Sequence, residues 1–181
     1  MKQNLTKQHI WESFYELSAT VPFEKLTVEK IIHHSGVSRA TFYRHFRDKY
    51  DLMNYTSMAV AQRLIGWRKC SSWQEFLYYM FMEIERDKDY FRRAFKTSGQ
   101  NAHSPFLFEY SYSVAKECYM GSHSITELSM QEHYTIAHYC HGCVDCLEDW
   151  LRDPDAISAE EMAALFYKAM PECLRDTWLH K

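Results

Sequence analysis

Residues 27–52 read Thr27-Val28-Glu29-Lys30-Ile31-Ile32-His33-His34-Ser35-Gly36-Val37-Ser38-Arg39-Ala40-Thr41-Phe42-Tyr43-Arg44-His45-Phe46-Arg47-Asp48-Lys49-Tyr50-Asp51-Leu52. Val28, Ile31 and Ile32 recur at helical spacing and predict a helix over 27–34. Gly36 then stands where the chain must turn through the left-handed region, which a side chain resists. A second, short helix is predicted over 38–45. It interleaves Arg39, Arg44 and Arg47 with Tyr43 and His45, above an apolar pair, Phe42 and Phe46. That composition suits a helix whose face lies in a DNA groove while its back, Phe42 and Phe46, packs on a core.

Outward from this stretch the chain reads as helices throughout. Ile10, Phe14 and Leu17 share a face of a helix over 6–19, which Val21-Pro22-Phe23 breaks. Asp48, with Asp51 three residues on, caps a helix running to about Leu64. Ser72…Glu75, Ser124…Glu127 and Ser158…Glu161 have the spacing in which a serine and a glutamate satisfy each other's backbone amides, and predict helices over 73–96, 125–152 and 159–179. Pro171 should kink the last of these. Another helix opens near Ser104-Pro105 and ends by Gly121. Phe76–Met82 is apolar around the whole circumference, as in a buried central helix. Ile136, Cys140, Cys143, Val144, Leu147 and Leu151 form a stripe on the 125–152 helix, and with the final helix these could pair with a second copy as a four-helix bundle.

Composition bounds the rest. Aromatics make up 16 % of 181 residues, with 5 Gly and 4 Pro, which fits an all-α protein. No stretch is apolar for long enough to span a membrane, and the polar N-terminus lacks the core of a signal peptide. Three of the six cysteines lie a turn apart on one helix and cannot all pair, which points to reduced thiols and a cytoplasmic protein. Residues 1–52 hold 8 Lys/Arg against 6 Asp/Glu, whereas 53–181 hold 13 against 18. Positive charge is thus local to Ser38–Tyr50, where a phosphate backbone would reward it.

Leu26-Thr27-Val28, Ile31-Ile32, Gly36-Val37-Ser38, Thr41-Phe42-Tyr43, His45-Phe46, Lys49 and Leu52 together resemble the TetR family of bacterial transcription regulators. Ser72-Trp73-Gln74-Glu75 and Asp89-Tyr90-Phe91 with Ala94-Phe95 are faintly similar to the dihydroxyacetone-kinase regulator branch. The resemblance implies an N-terminal three-helix DNA-binding domain, 1–52, and a C-terminal helical domain for effector binding and dimerisation, 53–181. It implies a homodimer on a palindromic DNA operator, expected to be a repressor released by a small molecule. The alternative is control by a protein partner through the C-terminal domain, with no small-molecule effector. By the same resemblance Tyr43, His45 and Lys49 contact phosphates, with Thr27 at a helix N-terminus beside another. Arg39 and Arg44 are the better base readers, because arginine grips guanine O6 and N7. Ala40 or Thr41 suits a thymine methyl, and Ser38 opens the recognition helix.

Beyond DNA contact, polar groups among aromatics suggest a ligand pocket: Phe76, Tyr79 and Glu83 on one helix, and Tyr110, Ser113 and Glu117 on the next. His138, His141 and Asp145 share a helical face with Glu148 and Asp149, which suggests a metal site, but a solvated polar face explains it without any ion, so no metal or cofactor is expected. Cys140, Cys143 and Cys146 are better read as small buried hydrophobes than as redox sensors, since no neighbouring cation lowers a thiol pKa. No Gly-rich phosphate loop or nucleophile elbow points to an enzyme.

Overall fold

A computed structural model describes residues 2–66, 70–99 and 102–178. Among them run α1 (Lys2–Thr20), α2 (Val28–Ser35), α3 (Arg39–His45), α4 (Lys49–Gly66), α5 (Trp73–Arg86), α6 (Lys88–Phe95), α7 (His103–His123), α8 (Met130–Arg152), α9 (Ala159–Ala169) and α10 (Glu172–Arg175), with a 3-10 turn at Phe23–Lys25 and no strand. None of these helices is long and apolar enough to cross a membrane.

The first three helices and the start of α4 close on one core. Ile10, Phe14, Leu26, Ile31, Phe42 and Leu52 are fully buried there, and Phe46 and Met53 nearly so. Each such side chain contributes about 1.5–3 kcal/mol by leaving water. Local signals set the angles between the helices. Thr27 Oγ1 accepts the Lys30 amide at 3.3 Å and starts α2. Gly36 ends it at φ 67°, where its amide donates to the Ile32 carbonyl. Ser38 Oγ then accepts the Thr41 amide at 3.1 Å and starts α3.

Helix α4 continues unbroken through residue 52 and joins the second helical layer, where α5 packs along α9, and α7 along α8. Phe81 of α5 is fully buried, edge-on to Trp150 at 5.5 Å and Phe166 at 4.7 Å. The far end is closed by Trp178, whose indole donates to the Cys70 carbonyl at 2.7 Å and stands edge-on to Trp73.

Several sequence expectations change here. The helix expected over 73–96 breaks at Asp87, whose carboxylate accepts the Tyr15 hydroxyl from α1. Its apolar run is not buried all round, since Tyr78 and Met82 are exposed. Gly121 does not stop α7, which runs on to His123. Ser124 is not an N-cap: it ends α7 at φ 53°. The reciprocal serine–glutamate cap belongs to Ser129 and Glu132, so α8 begins at Met130 and not at 125. Pro171 separates α9 from α10 where a kink was expected, because the residue before a proline is forced out of helical geometry, and Met170 is extended. Residue 179, the expected end of that helix, lies outside the described residues. The stripe Ile136–Leu151 faces the chain's own core, with Ile136, Cys140, Val144, Leu147 and Leu151 buried. It is not the surface left open to a second copy.

Candidate functional site

Two features stand out: the outer face of α3 and a cavity in the C-terminal layer. On α3, burial of Phe42 and Phe46 turns Arg39, Ala40, Tyr43 and Arg44 outward, all of them exposed. Arg39 Nη1 lies 3.3 Å from Glu29 of α2, and its guanidinium sits over the Tyr43 ring. Arg44 makes no ion pair or hydrogen bond among the described residues. Thr41 shares a 2.9 Å hydroxyl contact with Ser38, and Thr27 is exposed at the start of α2. Ser38, exposed, leads α3 outward.

His45 and Lys49 sit lower, half-buried. Burial, with Arg44 and Lys7 nearby, pulls the His45 pKa down and favours the neutral ring. Lys49 Nζ donates to the Phe23 carbonyl at 2.7 Å and lies over the Phe23 ring. Burial lowers its pKa as well, with Glu24 acting in the opposite sense. Lys49 therefore pins α4 to the 3-10 turn, with two N–H bonds left for another acceptor.

The cavity, about 130 Å³, lies among α4, α5, α7 and α8, with Phe91 of α6, Phe166 of α9 and Leu174 of α10 completing the wall, and is lined almost wholly by apolar side chains. Helix α7 presents His103, Leu107, Tyr110, Ser111, Val114 and Ala115, a single helical face. Ser57, Val60, Ala61 and Ile65 come from α4, and Tyr139, Cys140 and Cys143 from α8. Of the sequence candidates, Phe76 and Tyr110 line it and four do not. Glu83 binds Arg63 and Arg86 at the surface, Ser113 and Glu117 are exposed beside each other, and Tyr79 packs against Tyr78. Phe76 and Tyr110 each stand at the edge of the lining arc, and the other four are rotated off it.

Ser57, His103, Ser111 and Tyr139 also line the cavity, although nothing in their sequence spacing marks them. His103 is fully buried between Phe95 and Phe106, and desolvation pulls its pKa down to about 4. Its Nδ1 lies 3.0 Å from Asn54 Oδ1, and its Nε2 lies 3.3 Å from Ser57 Oγ. Burial pushes the Cys140 and Cys143 thiols up to about 11 and about 12, away from thiolate chemistry. His141 stacks on Phe108 with ring centres 3.7 Å apart.

One polar chain joins the two regions. The Trp11 indole donates to Thr56 Oγ1 at 2.9 Å, Thr56 Oγ1 lies 2.7 Å from the Tyr90 hydroxyl, and that hydroxyl donates to the Met53 carbonyl at 3.2 Å. It ties α1, α4 and α6 together, and α4 and α6 also supply Ser57 and Phe91 to the cavity wall.

A sequence profile described as "Bacterial regulatory proteins, tetR family" matches residues 15–56, and one described as "Transcriptional regulator C-terminal region" matches residues 71–172. The chain belongs to the TetR family. A TetR transcriptional regulator from Streptococcus agalactiae has a similar fold, with TM-score 0.62 at 19 % identity over 91 % of this chain and 93 % of that one. A structure described as "Dihydroxyacetone kinase operon activator DhaS" gives TM-score 0.64 at 14 % identity, with the same coverage. A search of curated protein sequences found no match. In this TetR regulator α2 and α3 form the helix-turn-helix, and most of the cavity wall comes from the C-terminal region that the second profile covers, with Ser57, Val60, Ala61 and Ile65 of α4 and Leu174 lying outside it.

Proposed function

We propose that this transcriptional regulator binds a palindromic operator as a homodimer in the cytoplasm and acts as a repressor whose DNA affinity falls when a small molecule fills the C-terminal cavity. The observation that carries the DNA reading is Arg44, exposed and unpartnered on α3 directly above the fully buried Phe42. Arg44 and Arg39 would read bases, Ala40 or Thr41 a thymine methyl, and Tyr43, His45, Lys49 and Thr27 the phosphates, with Ser38 fixing the start of the reading helix. The division at residue 52 falls inside α4, so one rigid helix would carry motion between the domains.

The cavity supports a small-molecule effector over a protein partner, because a recess of about 130 Å³ with apolar walls suits a small molecule. A ligand that favours one spacing of α4 and α6 would act on α1 through the Trp11–Thr56–Tyr90 chain. The second copy would meet the outward faces of α8 and α9, where Gly142, Cys146, Ala164 and Leu165 are exposed. Activation, the role named for the DhaS structure, is the second reading of the direction of control.

Selection from a random duplex pool tests the dimeric operator. The expected product is an inverted repeat whose half-sites are separated by about one helical turn, roughly 34 Å, or a multiple of it. Enrichment of a lone half-site, or of nothing, contradicts the reading.

A further inference from the structure

The chemistry of the cavity narrows what can occupy it, granted that the cavity is the effector site. No Asp, Glu, Lys or Arg is among its lining residues. An ion entering it would lose its hydration shell and gain no counter-charge. The one titratable cation-former in the wall, His103, is held neutral by burial. The volume, about 130 Å³, is close to the roughly 150 Å³ of a dry apolar cavity that takes up benzene. Room exists for a single ring with a small substituent.

The polar end of the cavity has a direction. Asn54 Oδ1 can only accept, so His103 carries its proton on Nδ1, and its Nε2 must accept. Ser57 therefore donates its hydroxyl hydrogen to Nε2. With that hydrogen spent, the hydroxyl oxygen of Ser57, a residue of the cavity wall, is left to act as an acceptor. A ligand that donates there is satisfied, and one that only accepts is not.

We propose that the effector is a compact, uncharged single-ring molecule carrying one hydroxyl, of the phenol class, with that hydroxyl donating to Ser57 Oγ. The apolar ring then lies against Val60, Leu107 and Val114, and the hydroxyl extends the Ser57–His103–Asn54 chain by one link.

The test is calorimetry on the intact protein with three probes of similar size: phenol, toluene and benzoate. Phenol should bind about tenfold more tightly than toluene, the worth of one buried hydrogen bond, and benzoate should give no binding heat at pH 7.5. Ser57→Ala should bring phenol down to the affinity of toluene and leave toluene unchanged. Benzoate binding as well as phenol, no neutral ring binding, or a phenol preference that survives Ser57→Ala would each overturn the assignment. Operator binding measured with the same probes separates this claim from the broader one. Phenol binding with unaltered DNA affinity keeps the ligand class and refutes the effector role. Release from DNA by a charged compound, with no binding of phenol, does the reverse.

Discussion

Phe42→Ala should lower the unfolding free energy by about 3–5 kcal/mol, the usual loss when a fully buried aromatic becomes a cavity. Phe42 has no exposed surface, packs at 6.2 Å from Phe46, and closes the core against Ile10, Phe14 and Ile31. No neighbouring element can collapse into the space without moving α3 off α1 and α2. Urea unfolding followed by tryptophan fluorescence measures the loss, since Trp11 lies on α1 of the same unit. Its neighbour is the control. Tyr43 is 47 % exposed, so Tyr43→Ala should move stability by no more than about 0.5 kcal/mol. Equal losses from the two substitutions would mean that α3 does not present the face described here.

Acidification should destabilise the protein through His103. The folded protein holds this residue at about 4, against 6.5 for an exposed histidine, because burial penalises the charged ring. Between those values the unfolded chain binds a proton that the folded protein refuses, so stability rises with pH across this window. The contribution is complete above about pH 6.5, is lost as pH falls toward 4, and amounts in full to about 3 kcal/mol. Asn54, Ser57, Phe95 and Phe106, its closest partners, carry no charge that would offset the effect. Chemical unfolding at pH 7.5 and at pH 4.5 should show a drop in the wild type that His103→Gln, which cannot titrate, largely removes. The same drop in both proteins would place the acid sensitivity elsewhere.

The residues that read correctly from sequence are those whose signal is local. Gly36 and Ser38 declare a helix end and a helix start within three positions, and Phe42 and Phe46 reveal the buried side of α3 by their spacing. Where two local signals compete, sequence alone cannot choose. Ser124 and Ser129 both stand three residues before a glutamate, and only the second is free to cap, because Ser124 is already used to end α7. The break at Asp87 draws on a distant contact that the local sequence does not show: its partner, Tyr15, lies 72 positions earlier.

The cavity was only partly legible, for a geometric reason. Phe76 and Tyr110 sit at the edges of the arcs that line it, and the neighbours chosen with them, Tyr79, Glu83, Ser113 and Glu117, lie beyond those edges. Glu83 and Glu117 stepped outward, to arginines and to solvent. His103 escaped notice because it opens α7 from just before the serine and proline that mark a helix start. The stripe on α8 was visible, but not whether it faced the chain's own core or a copy, since either burial satisfies the same pattern.

The central claim is that the exposed face of α3 reads DNA. Arg44→Ala, assayed by fluorescence anisotropy on the selected duplex and on an unrelated one, tests it most directly. The substitution removes a side chain that holds nothing in the fold, so stability should be unchanged. Affinity for the selected duplex should fall by about 1–3 kcal/mol, roughly 5- to 150-fold, and the preference over the unrelated duplex should shrink with it. Unaltered binding to the selected duplex would contradict the assignment of α3 as the reading helix.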